Sequence, residues 1–252
     1  MGGRGSGSGR SGGGGGGRPT GPIRLDTMSD AQLASFIQQS NSAQLPPGFR
    51  DDPTQRLILA AQWNEQPQIM TSSQVEALAR KRGAVALYRT VNNAPQRYGG
   101  KNSQQIADEF RTSAQFQASG HGGQVYGGGA YFSDSFRGSK AYGQSVGRST
   151  TIGAVLNDRA KVISSSELTG STGANWVRSH PQAARQLGVS ITNSGRVRGS
   201  SGAQTAMAMA MGYNAVKNPV GGRENYYTIF DRSILTTSSK DYYPQSKSLK
   251  GR

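Results

Sequence analysis

Two tyrosines and a serine in the middle of the chain have types and spacing that suit the binding of a flat ring. Tyr131 and Tyr142 are eleven positions apart, and Ser139 lies three positions before the second tyrosine. A short strand followed by a brief helix can place two aromatic rings face to face, which makes a slot for a heteroaromatic ring. A hydroxyl at the mouth of that slot can hydrogen-bond an amide on the ring. The glycines that precede the strand let the backbone approach a ligand.

The sequence around this pattern resembles the ADP-ribosyltransferase superfamily. It reads GGGAYFSD over residues 127–134 and SKAY over 139–142. Polymerase members of the superfamily carry Gly-x-Gly-Ile-Tyr-Phe-Ala-Asp and then Ser-x-x-Tyr at the same spacing. The resemblance implies that Tyr131 and Tyr142 sandwich the nicotinamide of NAD and that Ser139 binds its carboxamide.

The segment LYRT at residues 87–90 resembles the first core strand of the same superfamily. Toxin-like members have an arginine there, which contacts the NAD phosphates or the adenosine ribose, and Arg89 corresponds to it. Polymerase members have a histidine instead, so the resemblance implies transfer of a single ADP-ribosyl group. Thr90 replaces a glycine of the polymerase class, and its backbone is the counterpart that would hold the carboxamide. Ser133 corresponds to the serine motif of toxin-type members.

Cleavage of the nicotinamide–ribose bond develops positive charge on the ribose, so the reaction needs a carboxylate. The resemblance implies a catalytic glutamate at the last core strand. Glu224 lies beside the entry to a predicted strand over residues 226–230 and is the candidate. The acids between Tyr142 and the end of that strand are Asp158, Glu167, Glu224 and Asp231.

A second alignment of the last strand leaves an alternative open. Matching residues 230–231 to the family's strand end puts Tyr226 at the glutamate position. Glu224 then matches the upstream residue of a toxin-type Glu-x-Glu motif, which positions an arginine acceptor. A bulge of one or two residues in the strand would restore Glu224 to the catalytic position. Without a bulge, the chain would be an impaired enzyme or a non-catalytic NAD-binding relic.

Strands mixed irregularly with helices predict an α+β fold. The resemblance covers residues 83–236 and implies two small, roughly orthogonal antiparallel sheets around an NAD cleft. We expect a basic Gly/Arg/Ser-rich tail over 1–25, a helical N-terminal segment over 26–82, an ADP-ribosyltransferase-like domain over 83–238 and a basic tail over 239–252. Ser29 is predicted to cap a helix over 30–39, and Ser139 to begin a helix over 139–146.

Composition excludes several kinds of site. Cysteine is absent, which removes disulfides, thiolate nucleophiles and cysteine-based zinc sites. His121 and His180 are isolated, so we expect no metal cofactor. The glycines at 120–129 precede a strand and do not match G-x-G-x-x-G or a P-loop. We see neither a signal peptide nor a membrane span, so we expect no membrane partner.

The net charge of +15, from 29 Lys and Arg against 14 Asp and Glu, predicts non-specific association with nucleic acid. The expected function is NAD-dependent mono-ADP-ribosyl transfer to a macromolecule, expected to be a protein. Two alternatives stay open: an NAD glycohydrolase, and a non-catalytic basic binding protein on the same fold. A helical leader before the domain resembles phage-encoded members, which implies a location in the host cytoplasm or the virion.

Overall fold

The protein is described by a computed structural model that covers residues 22–47, 49, 51–63, 65–93, 100–113, 128–143, 148–221 and 224–242. Both predicted tails therefore lie mostly outside the described residues, and so does most of the glycine segment together with His121.

The described residues form helices and strands in mixed order, which confirms the predicted α+β class. The helices are α1 (Asp30–Ser42), α2 (Pro53–Ala60), α3 (Ser72–Ala79), α4 (Ser103–Thr112), α5 (Phe136–Gly143), α6 (Ser165–Thr169), α7 (Ser171–Ser179), α8 (Pro181–Leu187) and α9 (Ser201–Ala210). The strands are β1 (Gln68–Met70), β2 (Ala86–Asn92), β3 (Ala130–Ser133), β4 (Ser149–Leu156), β5 (Val162–Ser164), β6 (Ser190–Ile191), β7 (Val197–Arg198), β8 (Ala215–Pro219), β9 (Asn225–Ile229) and β10 (Leu235–Ser238).

Eight of these strands form one mixed sheet in the order β1-β10-β4-β2-β3-β9-β8-β5, and β6 and β7 form a separate hairpin. The edge strands β1 and β5 pair in parallel with β10 and β8, and the other pairs are antiparallel. The expectation of two small antiparallel sheets is therefore wrong, because the described strands form one large mixed sheet and a separate two-stranded hairpin. The central strands β2 and β3 share one register pair, Tyr88 with Ser133, and this pair joins four strands on each side into a single sheet.

The N-terminal helices pack on the rest of the chain, as expected from their apolar faces. Helix α1 lies against α8, and α2 lies against α9. Leu33, Ile37 and Ile58 are fully buried in the same core as the strand residues Phe132 and Ile229. The predicted cap of α1 is confirmed, because Ser29 and Gln32 form a reciprocal capping box.

A tyrosine near the C-terminal end of the described chain covers the middle of the sheet. The ring of Tyr242 packs on Gly153 in β4, where a Cβ atom would lie 2.4 Å from the ring. It also contacts Tyr88 at 5.9 Å between ring centroids. Burial raises the pKa of Tyr242 to about 12, and burial also raises the pKa of Tyr88.

These shifts predict a loss of stability at alkaline pH. The unfolded chain releases the tyrosine proton from about pH 10, whereas the folded chain holds that of Tyr242 to about pH 12. The stabilisation is complete below pH 10 and is lost as the pH rises to 12, at a cost of up to about 3 kcal/mol. Urea unfolding of wild type and Tyr242→Phe at pH 8, 10 and 11.5 measures this. We expect the variant to lose less stability above pH 10, and parallel losses in both proteins would contradict the assignment.

Among the described residues, no helix has the length and apolar character needed to cross a membrane.

Candidate functional site

One face of the sheet holds several of the predicted site residues at the junction of β2 and β3. Tyr88 lies directly opposite Ser133 in the register, so their side chains lie on the same face. Side chains two positions apart on a strand also share a face. Thr90 on β2 and Tyr131 on β3 therefore lie on this face, and helix α5 packs over both strands.

The candidate catalytic carboxylate is hydrogen-bonded to the predicted serine. Ser133 Oγ donates to Glu224 Oε1 over 2.7 Å, although the two residues are 91 positions apart. The backbone N–H of Ser135 donates to Ser133 Oγ over 2.9 Å. Because that contact occupies a lone pair of the hydroxyl, the hydroxyl proton is directed to the carboxylate. The structure therefore brings together Ser133 and Glu224, two of the candidate residues from the sequence.

Helix α5 admits this carboxylate because residue 138 is a glycine. A Cβ atom at Gly138 would lie 1.7 Å from Glu224 Oε1 and 2.7 Å from Oε2, so the carboxylate lies directly on the helix backbone. Ser135 Oγ accepts a hydrogen bond from the N–H of Gly138 over 3.0 Å, which caps the first turn. The positive end of the helix dipole favours a negative charge there.

A group of three hydroxyls lies beside the next residue of α5. Thr90 Oγ1 is 2.9 Å from Ser139 Oγ and 3.0 Å from Thr151 Oγ1. Ser139 is 4% exposed, and Thr151 is fully buried. The prediction that Ser139 begins the helix is wrong, because α5 begins at Phe136 and Ser135 caps it. Ser139 instead faces β2 from inside the helix.

Arg89 lies on the opposite face of β2 from these hydroxyls. Its Nη1 donates to the carbonyl of Tyr131 over 3.3 Å, and its Cζ is 5.8 Å from the ring centroid of Phe110 on α4. The side chain thus bridges β2 and β3 beyond the Tyr88–Ser133 pair, where the two strands no longer pair. It neighbours the Tyr131 backbone and does not join the hydroxyl group.

The structure describes the side chain of Tyr131 but only the backbone of Tyr142, the second tyrosine of the expected slot. Tyr131 is half-buried on β3, opposite Thr228 of β9. Tyr142 belongs to the last turn of α5, one turn after Ser139, and its side chain lies outside the described part of the structure.

Strand β9 shows whether the last strand contains a bulge near Glu224. It pairs without interruption with β3, from Ala130–Ile229 to Ser133–Tyr226, and with β8, ending at Pro219–Asn225. The bulge that would restore Glu224 to the catalytic position is therefore absent from β9, which leaves in place the second alignment, with Tyr226 at the glutamate position, and the alternative of an impaired enzyme or a non-catalytic NAD-binding protein. Glu224 reaches Ser133 without a bulge, because it directly precedes β9 and Tyr226 lies opposite Ser133 at the end of the ladder.

The sequence did not single out Asp52, which explains one of the motif glycines, whereas Thr228 explains the next. Its buried carboxylate caps α2 and lies against Gly128, where a Cβ atom would be 2.1 Å from Oδ1. Gly129 has φ +152°, and its Cβ would be 2.5 Å from a Thr228 methyl group. Both glycines make room for protein side chains and not for a ligand. An aspartate directly before Pro53 was the available signal, since that pair is typical of a helix start.

A second acid near the site has a structural task. Both carboxylate oxygens of Asp134 accept hydrogen bonds from Asn225, over 2.9 Å from its backbone N–H and 2.6 Å from Nδ2. These bonds tie the end of β3 to the start of β9. Glu224 is therefore the carboxylate at this junction that is available for chemistry among the described residues.

No family model, curated protein or solved structure matches this chain. The described residues contain no group of three His, Cys, Asp or Glu side chains arranged to hold a metal ion.

Proposed function

We propose that this chain transfers one ADP-ribosyl group from NAD to a macromolecule and releases nicotinamide, on an ADP-ribosyltransferase-like domain. The observation that carries the proposal is the 2.7 Å hydrogen bond between Ser133 and Glu224, on the sheet face that also holds Tyr131. Ser133 and Glu224 are both candidates for this reaction on sequence grounds, and they form a hydrogen bond although they are 91 positions apart.

The chemistry assigns a task to each group. Tyr131 and Tyr142 would hold the nicotinamide ring, and Ser139 with Thr90 would bind its carboxamide. Because Ser139 and Thr90 bond to each other over 2.9 Å, the ligand would take over one of these hydroxyls. Glu224 would bind a ribose hydroxyl and stabilise positive charge at the anomeric carbon. The bond to nicotinamide breaks, its electron pair stays on the ring nitrogen, and the acceptor loses a proton as it bonds to the ribose.

Arg89 would contact a phosphate of NAD in this scheme. Its guanidinium lies on the opposite face of β2 from Thr90 and Ser139, but it donates to the Tyr131 carbonyl where β2 and β3 no longer pair, so NAD would have to pass between these two strands to reach both groups. Guanidinium groups bind phosphate oxygens in a bidentate manner, which suits this task. When NAD binds, the Arg89 guanidinium would have to leave the Tyr131 carbonyl or donate to the carbonyl and to a phosphate at the same time.

The test follows both products of NAD. Purified protein is incubated with NAD labelled in the adenylate, with and without the macromolecular fraction of a cell extract, and the products are separated by size. We expect nicotinamide release that depends on the extract, with label in large molecules. Free ADP-ribose without any labelled macromolecule would identify a glycohydrolase instead. Intact NAD under all conditions would refute both enzymes and favour a binding protein.

A further inference from the structure

Three basic residues lie on or near helix α5, which carries the candidate catalytic carboxylate against Gly138. Arg137 and Lys140 lie three positions apart on α5, which places them on neighbouring parts of the helix surface. Lys140 Nζ is 3.4 Å from Ser149 Oγ, and Ser149 follows Arg148 in the chain. We call Arg137, Lys140 and Arg148 the basic stripe. It starts next to Gly138, on which the Glu224 carboxylate lies.

The basic stripe has no acidic neighbours in sequence that would neutralise it. No Asp or Glu occurs from position 135 to position 157. Arg137 and Arg148 are exposed, and neither forms an ion pair with any residue in the described ranges. Other arginines are paired, such as Arg56 with Asp51 at 2.6 Å. Arg137 and Arg148 therefore present their charge to solvent, whereas Lys140 is half-buried and its Nζ lies 5.9 Å from the ring centroid of Phe136. In a chain with a net charge of +15, such exposed arginines attract a polyanion.

Arg148 and Ser149 border a cavity of about 650 Å³ that is lined by polar residues, among them the acid Asp241. The walls of the cavity include amide side chains and hydroxyl groups, which offer both hydrogen-bond donors and acceptors. Such groups match the edges of unpaired nucleobases. The residues that line it are Asn93, Asn102, Ser103, Gln104, Arg148, Ser149, Thr150 and Asp241.

The number of carboxylates available at the junction of β3 and β9 also bears on which chemical group accepts the ADP-ribosyl group. Both oxygens of Asp134 are used by Asn225, which leaves Glu224 as the carboxylate available at this junction among the described residues. A protein guanidinium is charged at all ordinary pH values and has to be paired and deprotonated before it attacks. Glu224 would then serve the ribose cation and the acceptor at the same time. A neutral hydroxyl or base nitrogen can attack before it loses its proton, so the number of carboxylates at this junction disfavours a guanidinium acceptor in particular.

We infer that the acceptor of the ADP-ribosyl group is a single-stranded polynucleotide, bound along the basic stripe with a base at the cavity. This inference rests on the proposed function and replaces the protein acceptor that was expected from the sequence. A nucleotide oxygen or nitrogen bonds to the anomeric carbon of the ribose, and the bond to nicotinamide breaks. The electron pair goes to the ring nitrogen of nicotinamide, and the acceptor proton passes to Glu224 or solvent.

The first arm of the test compares acceptors. Labelled NAD is offered with mixed-sequence single-stranded RNA, with single-stranded DNA, or with extract protein freed of nucleic acid, and nicotinamide is measured in each reaction. We expect label in a polynucleotide that nuclease removes and protease does not. Nicotinamide release with label only in protein would overturn this inference and leave the proposed function standing. Absence of nicotinamide release in every reaction would overturn both.

The second arm tests the basic stripe. The double variant Arg137→Ala/Lys140→Ala should raise the KM for the polynucleotide about tenfold and leave the KM for NAD unchanged. It should also reduce the slope of log affinity against log salt concentration by about 2, since each lost phosphate contact removes about 1. Arg178→Ala, an exposed arginine on α7, is the matched control. A raised KM for NAD with an unchanged KM for the polynucleotide would assign the stripe to the NAD phosphates and overturn the inference.

Discussion

Replacement of Gly138 by alanine is expected to lower the rate of NAD cleavage about a hundredfold while the protein stays folded. The added Cβ would lie 1.7 Å from Glu224 Oε1, so the carboxylate has to leave its position beside Ser133. A displacement of about 1 Å at a catalytic group can cost on the order of 10² in rate. The obstacle is the end of a flexible side chain, and alanine favours a helix over glycine by about 1 kcal/mol, so stability should not fall.

Nicotinamide release and thermal unfolding of Gly138→Ala measure these two effects separately. Ala141→Ser, at an exposed position of the same helix, is the control and should behave as wild type. Full activity in Gly138→Ala would mean that the position of the Glu224 carboxylate against α5 is irrelevant to the reaction. A folded and inactive variant supports the geometry.

Replacement of Arg232 by methionine is expected to cause a large loss of stability, about 2–4 kcal/mol. Arg232 is fully buried, and it donates to the carbonyls of Phe110 over 2.5 Å and Ser113 over 2.6 Å at the end of α4. Each buried carbonyl that loses its donor costs about 1–3 kcal/mol. Burial lowers the pKa of Arg232 to about 10, so removal of the buried charge offsets part of that loss.

Urea unfolding at pH 7 measures the effect, with Arg159→Met at an exposed turn as the control. Arg232→Lys should restore little, because an ammonium group does not reproduce the planar fork that serves two carbonyls. A methionine variant within 0.5 kcal/mol of wild type, about the range of ordinary surface substitutions, would show that α4 does not depend on this cap.

The sequence predicted the local elements of the site well. The strand predicted over residues 226–230 is close to β9, and the helix predicted over residues 30–39 lies within α1. The start of α5 was wrong because two serines, Ser135 and Ser139, both suit a helix cap. The hydrogen bond from Gly138 to Ser135 that distinguishes them is visible only in three dimensions.

Contacts across the chain could not be predicted in the same way. The packing of Asp52 on Gly128 joins residues 76 positions apart, and no periodic pattern marks such a pair. The edge strands β1 and β5 have three residues each, which is too short for alternation to be recognised. The single register pair Tyr88–Ser133, which joins the two halves into one sheet, is likewise a contact between distant parts of the chain. The sequence showed which residues could take part in chemistry. It did not show the strand register that brings Glu224 to Ser133 without a bulge.

Nicotinamide release by Glu224→Gln tests the central claim most directly. Glutamine keeps the shape and can still accept the Ser133 hydrogen bond, but it carries no charge to stabilise the ribose cation. We predict that kcat falls by about 10²–10³, that the KM for NAD changes little, and that Asp158→Asn, an exposed acid after β4, behaves as wild type. Unchanged nicotinamide release by Glu224→Gln would contradict the claim that this carboxylate carries the reaction.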